Sequence, residues 1–264
     1  MISKYLFNQF LTIVASTIFI GLFIWLATTP SINFAQSALV FGLLVICEHY
    51  LLNLVHIASH RGVSKNLLLN DLFGNFAAII SGVTLPVFRT THNLHHAFPN
   101  DPEKDPDFTI STSGSVWLIA SRIFYHDYFF FKKALYKPKG YLLTYFIDRA
   151  IQISLVLIFV FIGNLNAWTL FWLPSMLFIG TLYGFFQFYF PHYSTKIIDN
   201  WKTLEKPNYI QRAILFWINF SFYYHFKHHQ KINSNKHYFP LWCYFQDRFV
   251  YKKSLTESLK EVSY

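Results

Sequence analysis

Four apolar runs restrict what this chain can fold into. Residues 9–28, 37–59, 145–163 and 168–190 are each close to the roughly 20 residues a helix needs to cross a bilayer, and they carry few charges. Inside hydrocarbon the backbone must bond to itself, so such runs become helices. The expected fold is therefore all-α, an integral membrane bundle of four spans. A chain of 264 residues could hold two soluble domains, but 53% hydrophobic and 13% charged residues argue for one membrane domain over 1–264. The first run lacks a strongly basic leader and a small-residue cleavage site, so it reads as a retained span. The two cysteines, Cys47 and Cys243, have neither metal spacing nor partners in a disulfide framework, and read as packing residues. A net charge of +9 is spread along the chain with no nucleic-acid motif, which excludes a nucleic-acid partner and leaves a membrane surface or an acidic protein.

Three histidine clusters sit against these runs: His56-Ile-Ala-Ser-His60, His92-Asn-Leu-His95-His96 and His225-Phe-Lys-His228-His229. Spacings of three and four put the imidazoles of each cluster on one face of a helical turn. With 12 histidines in the chain, chance supplies about 0.02 matches to H-x-x-H-H, yet there are two. Eight imidazoles also exceed what one zinc uses, about three or four, so two metals fit better. Imidazole accepts zinc, copper, iron or nickel, and ligand type does not choose among them.

The clusters can share a metal site only if they share a membrane face. His56 and His60 lie at the exit of the second span. A single crossing by residues 66–90 would carry His92 to the opposite side, so a re-entrant or interfacial hairpin is required there, with Gly74, Gly82 and Pro86 as places to bend. The third and fourth spans form a hairpin that returns the chain to the same side, bringing His192 beside the clusters. The apolar stretch 213–224 is too short to cross and leads into His225. Of 22 Lys and Arg residues, none falls in the two proposed outer turns, 29–36 and 163–167. The positive-inside rule then places the histidine clusters and both termini in the cytoplasm, and the short N-terminal tail favours a bacterial cytoplasmic membrane.

Other polar residues take positions around this core. Glu48 and His49 are expensive in lipid and are expected to face the bundle interior. The acidic loop Pro99-Asn-Asp-Pro-Glu-Lys-Asp-Pro-Asp107 reads either as a solvated turn or as a source of carboxylates. In the second reading some of Asp101, Glu103, Asp105 and Asp107 accept the other imidazole hydrogen of a ligand histidine. Residues 115–141 are aromatic and basic, suiting an interfacial segment.

A metal pair reachable from lipid suits oxidation of an apolar substrate by dioxygen better than hydrolysis, and iron is favoured for that because zinc has no redox chemistry. Hydrogen abstraction from an unactivated C–H bond can end in hydroxylation or in desaturation, and the clusters alone do not separate the two. A membrane metal transporter is the reading from another class. It is disfavoured because its ligands should line a path across the bilayer, whereas these gather at one face.

The three clusters resemble the histidine boxes of the membrane fatty-acid desaturase and hydroxylase superfamily. A closer resemblance, over residues 50–230, is to the cyanobacterial-type β-carotene hydroxylases. It rests on His56-x-x-x-His60-Arg61, Pro86-Val-Phe88, His92-x-x-His95-His96, Asn100-Asp-Pro-Glu-x-Asp-Pro-Asp107, Trp117-Leu-Ile-Ala120 and Phe124-Tyr-His126. It continues in Phe129-Phe-Phe-Lys132, Tyr189-Phe-Pro-His192, Asn200-Trp-Lys202 and Tyr224-His225-x-x-His228-His229. The resemblance implies 3-hydroxylation of a β-ionone ring by a non-haem pair of iron ions, with dioxygen as co-substrate. His56, His60, His92, His95, His96, His225, His228 and His229 would be iron ligands, His192 an additional ligand ahead of the third box, and His126 a residue behind the ligands. The same resemblance implies two electrons from a donor such as ferredoxin, for which Lys132, Lys133, Lys202, Lys227 and Lys231 offer a basic surface. That surface would equally attract anionic lipid.

Two positions depart from the carotenoid branch. Ile57 stands where its first box commonly has an acidic residue, and the polar stretch Gln230-Lys-Ile-Asn-Ser-Asn-Lys-His237 precedes Pro240-Leu-Trp242. A polar insertion there would admit a substrate with a charged head, so a fatty-acyl lipid desaturase or hydroxylase of the same superfamily is the alternative.

Overall fold

A computed structural model describes residues 4–29, 31–108, 125–161 and 168–185, all within one compact unit, Met1–Asp199. The described residues contain helices and no strand. Helix α1 covers Lys4–Thr28, α2 Phe34–Ser59, α3 Leu67–Ile80, α4 Leu85–Ala97, α5 Tyr141–Phe161 and α6 Leu173–Gly184, the last preceded by a π-helical turn at Trp168–Trp172. Residues 125–132 are also helical. By length and composition α1, α2 and α5 can each cross a membrane, and the bent pair α3–α4 would make a fourth if it counts as one span. The apolar helix Thr169–Gly184 is shorter than a span, and the expected fourth run continues to 190, outside the described residues.

The uncharged turn before the second run is closed by a capping box. Asn33 Oδ1 accepts the Gln36 amide and Gln36 Oε1 accepts the Asn33 amide, both at 2.9 Å. Two otherwise unbonded amides at the start of α2 are satisfied in this way. From Leu51 to Ser59 every residue of α2 is buried, which makes the end carrying His56 the centre of the packing.

α5 is arranged inside out. Its buried residues are Asp148 and Gln152, while Leu143, Phe146, Ile153 and Phe161 are exposed. An apolar outer face around a polar seam is what a lipid solvent favours, because the lipid tails compete with other helices for apolar contact.

The turn between α3 and α4 bends their axes by 100°. Gly82 makes this bend at φ +69°, in the left-handed region that suits glycine. The expected roles of Gly74 and Pro86 as bends are corrected. Gly74 lies inside α3, where an added Cβ would come 2.5 Å from Ala58 Cβ, so glycine is there to let α3 approach α2. Pro86 sits in the first turn of α4, where its missing N–H costs no helical bond.

A bend exposes carbonyls that cannot be left without partners where packing shuts out water. Side chains from later helices bond them. Trp172 Nε1 donates to the Ile80 carbonyl (2.8 Å), Arg149 to Gly82 (2.9 Å) and Gln152 to Val83 (2.8 Å). Arg149 also pairs with Asp127, tying helical residues 125–132 to the same turn.

Candidate metal centre

Helix α2 ends where two side chains hold it. The Ala58 carbonyl, in the last turn, accepts from Asn70 Nδ2 and from Arg89 Nη2, both at 3.0 Å. Asp71 pairs with Arg89, and Asn70 Oδ1 accepts the Val63 amide at 3.1 Å. One carbonyl on α2 thereby fixes α3 through Asn70 and α4 through Arg89, and with them the two described histidine clusters. Asn8 of α1 donates to Gly62 just beyond, at 3.4 Å.

The clusters converge. One ring nitrogen each from His56, His60, His92 and His96 lies within 4.8 Å of every other. His92 Nε2 is 2.9 Å from His60 Nε2 and 2.9 Å from His96 Nε2. Neighbouring nitrogens on one metal, at the usual metal–nitrogen length of about 2.1 Å, would be about 3.0–3.4 Å apart. His56, His92 and His96 are buried, His92 at 1% exposure, and His60 is half-buried. Four imidazoles at this spacing fit a first-row transition metal, and the donor set suits iron without choosing it over zinc or copper.

Protonation supports the same use. Burial, with the Arg89 charge adding to it, pushes His60 down to about 4, so its ring is neutral near pH 7. A metal binds that form.

His95 faces a different partner. Its Nδ1 lies 3.0 and 3.1 Å from the two oxygens of Asp105, and both side chains are fully buried. A carboxylate only accepts, so the Nδ1 carries the hydrogen and Nε2 is the atom turned away from the loop. Asp105 is held by the backbone amides of Asn100 (2.7 Å) and Asp107 (2.8 Å). Asp107 in turn accepts from His126 Nε2 at 2.9 Å, and His126 Nδ1 meets the Thr91 hydroxyl at 3.1 Å. The acidic loop, helical residues 125–132 and α4 are joined in one polar chain ending on His95. His95, Asp105 and Asp107 also place one donor atom each within 4.8 Å. Asp105 is already occupied by three hydrogens there, which favours orientation of His95 over a second cation.

Asp101 sits elsewhere. Its Oδ1 accepts the amides of Glu103 (2.9 Å) and Lys104 (3.0 Å), and Lys104 Nζ stands 4.0 Å from Oδ2. The Glu103 amide leads in holding this carboxyl below the ordinary carboxylate range. Asp101 closes the turn that presents Asp105.

His192, His225, His228 and His229 lie outside the described residues, as do Lys202, Lys227 and Lys231. Lys132 and Lys133 are exposed. Sequence reasoning missed Tyr183, whose hydroxyl is 2.8 Å from His56 Nδ1, 127 residues away in the chain. It also missed the Arg89–Asp71 pair. The basic residue in an apolar stretch next to His92 was the available signal for the latter; Tyr183 carried none.

The family model described as fatty acid desaturase matches residues 29–241. A Delta 8-(E)-sphingolipid desaturase of Kluyveromyces lactis is 26% identical over 147 residues, 54% of this chain and 24% of the relative. A Delta 8-(E)-sphingolipid desaturase of Candida albicans is 36% identical over 55 residues, 20% of this chain and 9% of the relative, and that of Komagataella phaffii 29% over 113 residues, 39% and 20%. The chain thus spans about a quarter or less of the length of the curated relatives it matches. No solved structure matches it. The family match extends across both described histidine clusters and most of the chain, and on that ground the chain belongs to the fatty acid desaturase family, a family of oxidoreductases.

Proposed function

We propose that this chain is a membrane oxidoreductase that desaturates or hydroxylates the acyl chain of a lipid, using dioxygen, two electrons and two non-haem iron ions. The observation that carries the reading is the meeting of His56, His60, His92 and His96 nitrogens within 4.8 Å, in a chain of this family. The names of the relatives, all sphingolipid desaturases, support an acyl lipid over a carotenoid.

His56, His60, His92, His95 and His96 would hold the metal, together with His192, His225, His228 and His229. Bound iron would supply the oxidising power for breaking an unactivated C–H bond. The chain's own side chains supply orientation and exclusion of water. Asp105 fixes the tautomer of His95, and Tyr183 fixes the ring plane of His56 through Nδ1. Asp107 and His126 carry the polar chain to Thr91, bracing Asp105 from behind. Phe88 packs its ring 5.5 Å from that of His92 and 6.3 Å from that of His56, closing one side of the cluster to water. Electrons would come from an acidic ferredoxin-like donor docking on the exposed Lys132 and Lys133. The clusters and both termini would face the cytoplasm, in one membrane domain over 1–264 with four spans.

A second reading, 3-hydroxylation of a β-ionone ring, is favoured by the run Asn100-Asp-Pro-Glu-x-Asp-Pro-Asp107 and by His126 of the Phe124-Tyr-His126 motif, since Asp105, Asp107 and His126 form the polar chain that ends on His95. One experiment separates the two. The full chain is expressed with a ferredoxin system in a bacterial host that makes β-carotene, and pigments and total lipids are analysed together. New double bonds or hydroxyls in acyl chains are the expected result; unchanged lipids with hydroxylated carotenoid would overturn the acyl assignment.

A further inference from the structure

Beside the histidines lies a pocket with a chemistry of its own. Leu52, Val87, Phe88 and Ile179 give it apolar walls, and Phe88 is the side chain it shares with the histidine cluster. Among those walls stand Glu48, Ser81 and Thr84, exposed by 1%, 4% and 0%. Glu48 Oε1 and Thr84 Oγ1 are buried and make no hydrogen bond to a described residue. Thr84 is the more telling. It holds the N-cap position of α4, where a threonine hydroxyl ordinarily bonds a backbone amide, and it makes no such bond. Ser81 and Trp172 stand beside the Glu48 carboxyl and act on it as hydrogen-bond donors, leaving Oε1 unbonded, and Asp127 and Arg149, paired to each other, complete the polar side.

A buried carboxylate oxygen and a buried hydroxyl that no described residue bonds are costly in an apolar surrounding, and they persist where a ligand bonds them. A pure hydrocarbon would leave both unsatisfied. Glu48 precedes His56 by eight residues on one helix, about 12 Å along its axis, so a molecule bonded at Glu48 has its apolar part beside Phe88 and the histidines. We infer that this pocket binds an oxygenated lipid, and that a hydroxyl on it bonds Glu48 Oε1 and Thr84 Oγ1 while its alkyl part lies against Phe88.

The inference deepens the acyl-lipid reading by naming the polar group its substrate carries, and it is tested on binding alone. The full chain in detergent micelles is titrated with tritiated 1-octadecanol and with tritiated octadecane, which differ only by the hydroxyl. The unmodified chain should prefer octadecanol by about tenfold, the size expected for one buried hydrogen-bonding site. Glu48→Leu should bring the two probes to within about twofold, while Glu48→Gln, which still hydrogen-bonds, should keep most of the preference. Thr84→Val, nearly equal in volume, should lower it about threefold. Equal binding of both probes by the unmodified chain, or an undiminished preference in Thr84→Val and Glu48→Leu together, overturns the inference. Selective octadecanol binding in a chain that oxidises no lipid would sink the proposed function and leave the pocket standing. Lipid oxidation with equal binding of the probes would do the reverse.

Discussion

The Nε2 atoms of His60 and His92 lie 2.9 Å apart although 32 residues separate them in the chain. The whole of α3 and the Gly82 bend intervene. The contact exists because α3 and α4 leave and return to the same end of α2, and because Asn70 and Arg89 bond the same Ala58 carbonyl there.

His95→Ala should abolish lipid oxidation and reduce bound iron while the chain remains inserted, since the ring is lost without any change to a span. Metal analysis of the purified protein together with product analysis checks this. Retention of full iron and activity would remove the basis for the metal assignment.

Asp105→Asn keeps the shape of the side chain but removes its charge. An amide accepts a weaker bond from His95 Nδ1 and must satisfy the Asn100 and Asp107 amides with one oxygen. Metal affinity should fall about 10- to 100-fold, the range seen when a residue behind a ligand histidine is changed. Iron competition with a chelator of known affinity is the readout, and Asp101→Asn, on the outer turn, should leave it unchanged.

Arg89→Met removes one of the two side-chain donors to the Ala58 carbonyl, leaving Asn70 and the Arg61 amide, and takes away the cation hydrogen-bonded to Asp71. A loss of about 1–3 kcal/mol in stability is expected from breaking a buried charged hydrogen bond. Because α4 is then held less firmly to α2, iron should be lost before the helices melt. Parallel melting curves by circular dichroism and by iron release would show whether the two separate.

Gly74→Val forces a branched side chain into a site where even a Cβ would meet Ala58 Cβ at 2.5 Å and Leu85 Cδ2 at 2.9 Å. Overpacking of this kind costs about 1–3 kcal/mol or more. The double change with Ala58→Gly, which clears the nearer atom, should recover part of the loss; no recovery would mean that the contact is not what limits α3.

Ile32→Cys and Leu165→Cys, in the two proposed outer turns, should be labelled by an impermeant thiol reagent on intact cells, and Lys132→Cys should not. Protection of the first two with labelling of the third would invert the proposed orientation.

Much of this was legible in order. The runs 9–28, 37–59 and 145–163 fall on α1, α2 and α5, because apolar length in lipid leaves a helix as the one way to bond the backbone. The spacings within His56–His60 and His92–His96 put rings on one helical face regardless of neighbours. The need for a hairpin between them followed from geometry alone. What no periodicity encodes is which face of one helix meets which of another. Gly74 reads as a bend in sequence and is a point of close approach in space, because only the position of Ala58 reveals the contact. Tyr183 finds His56, and Trp172, Arg149 and Gln152 find the carbonyls of the bend, across 67 to 127 residues. A buried backbone opened at a bend must bond to something, but the partner is whichever polar side chain packing carries there. Sequence determined the helices and the faces of their histidines; tertiary packing decided their partners.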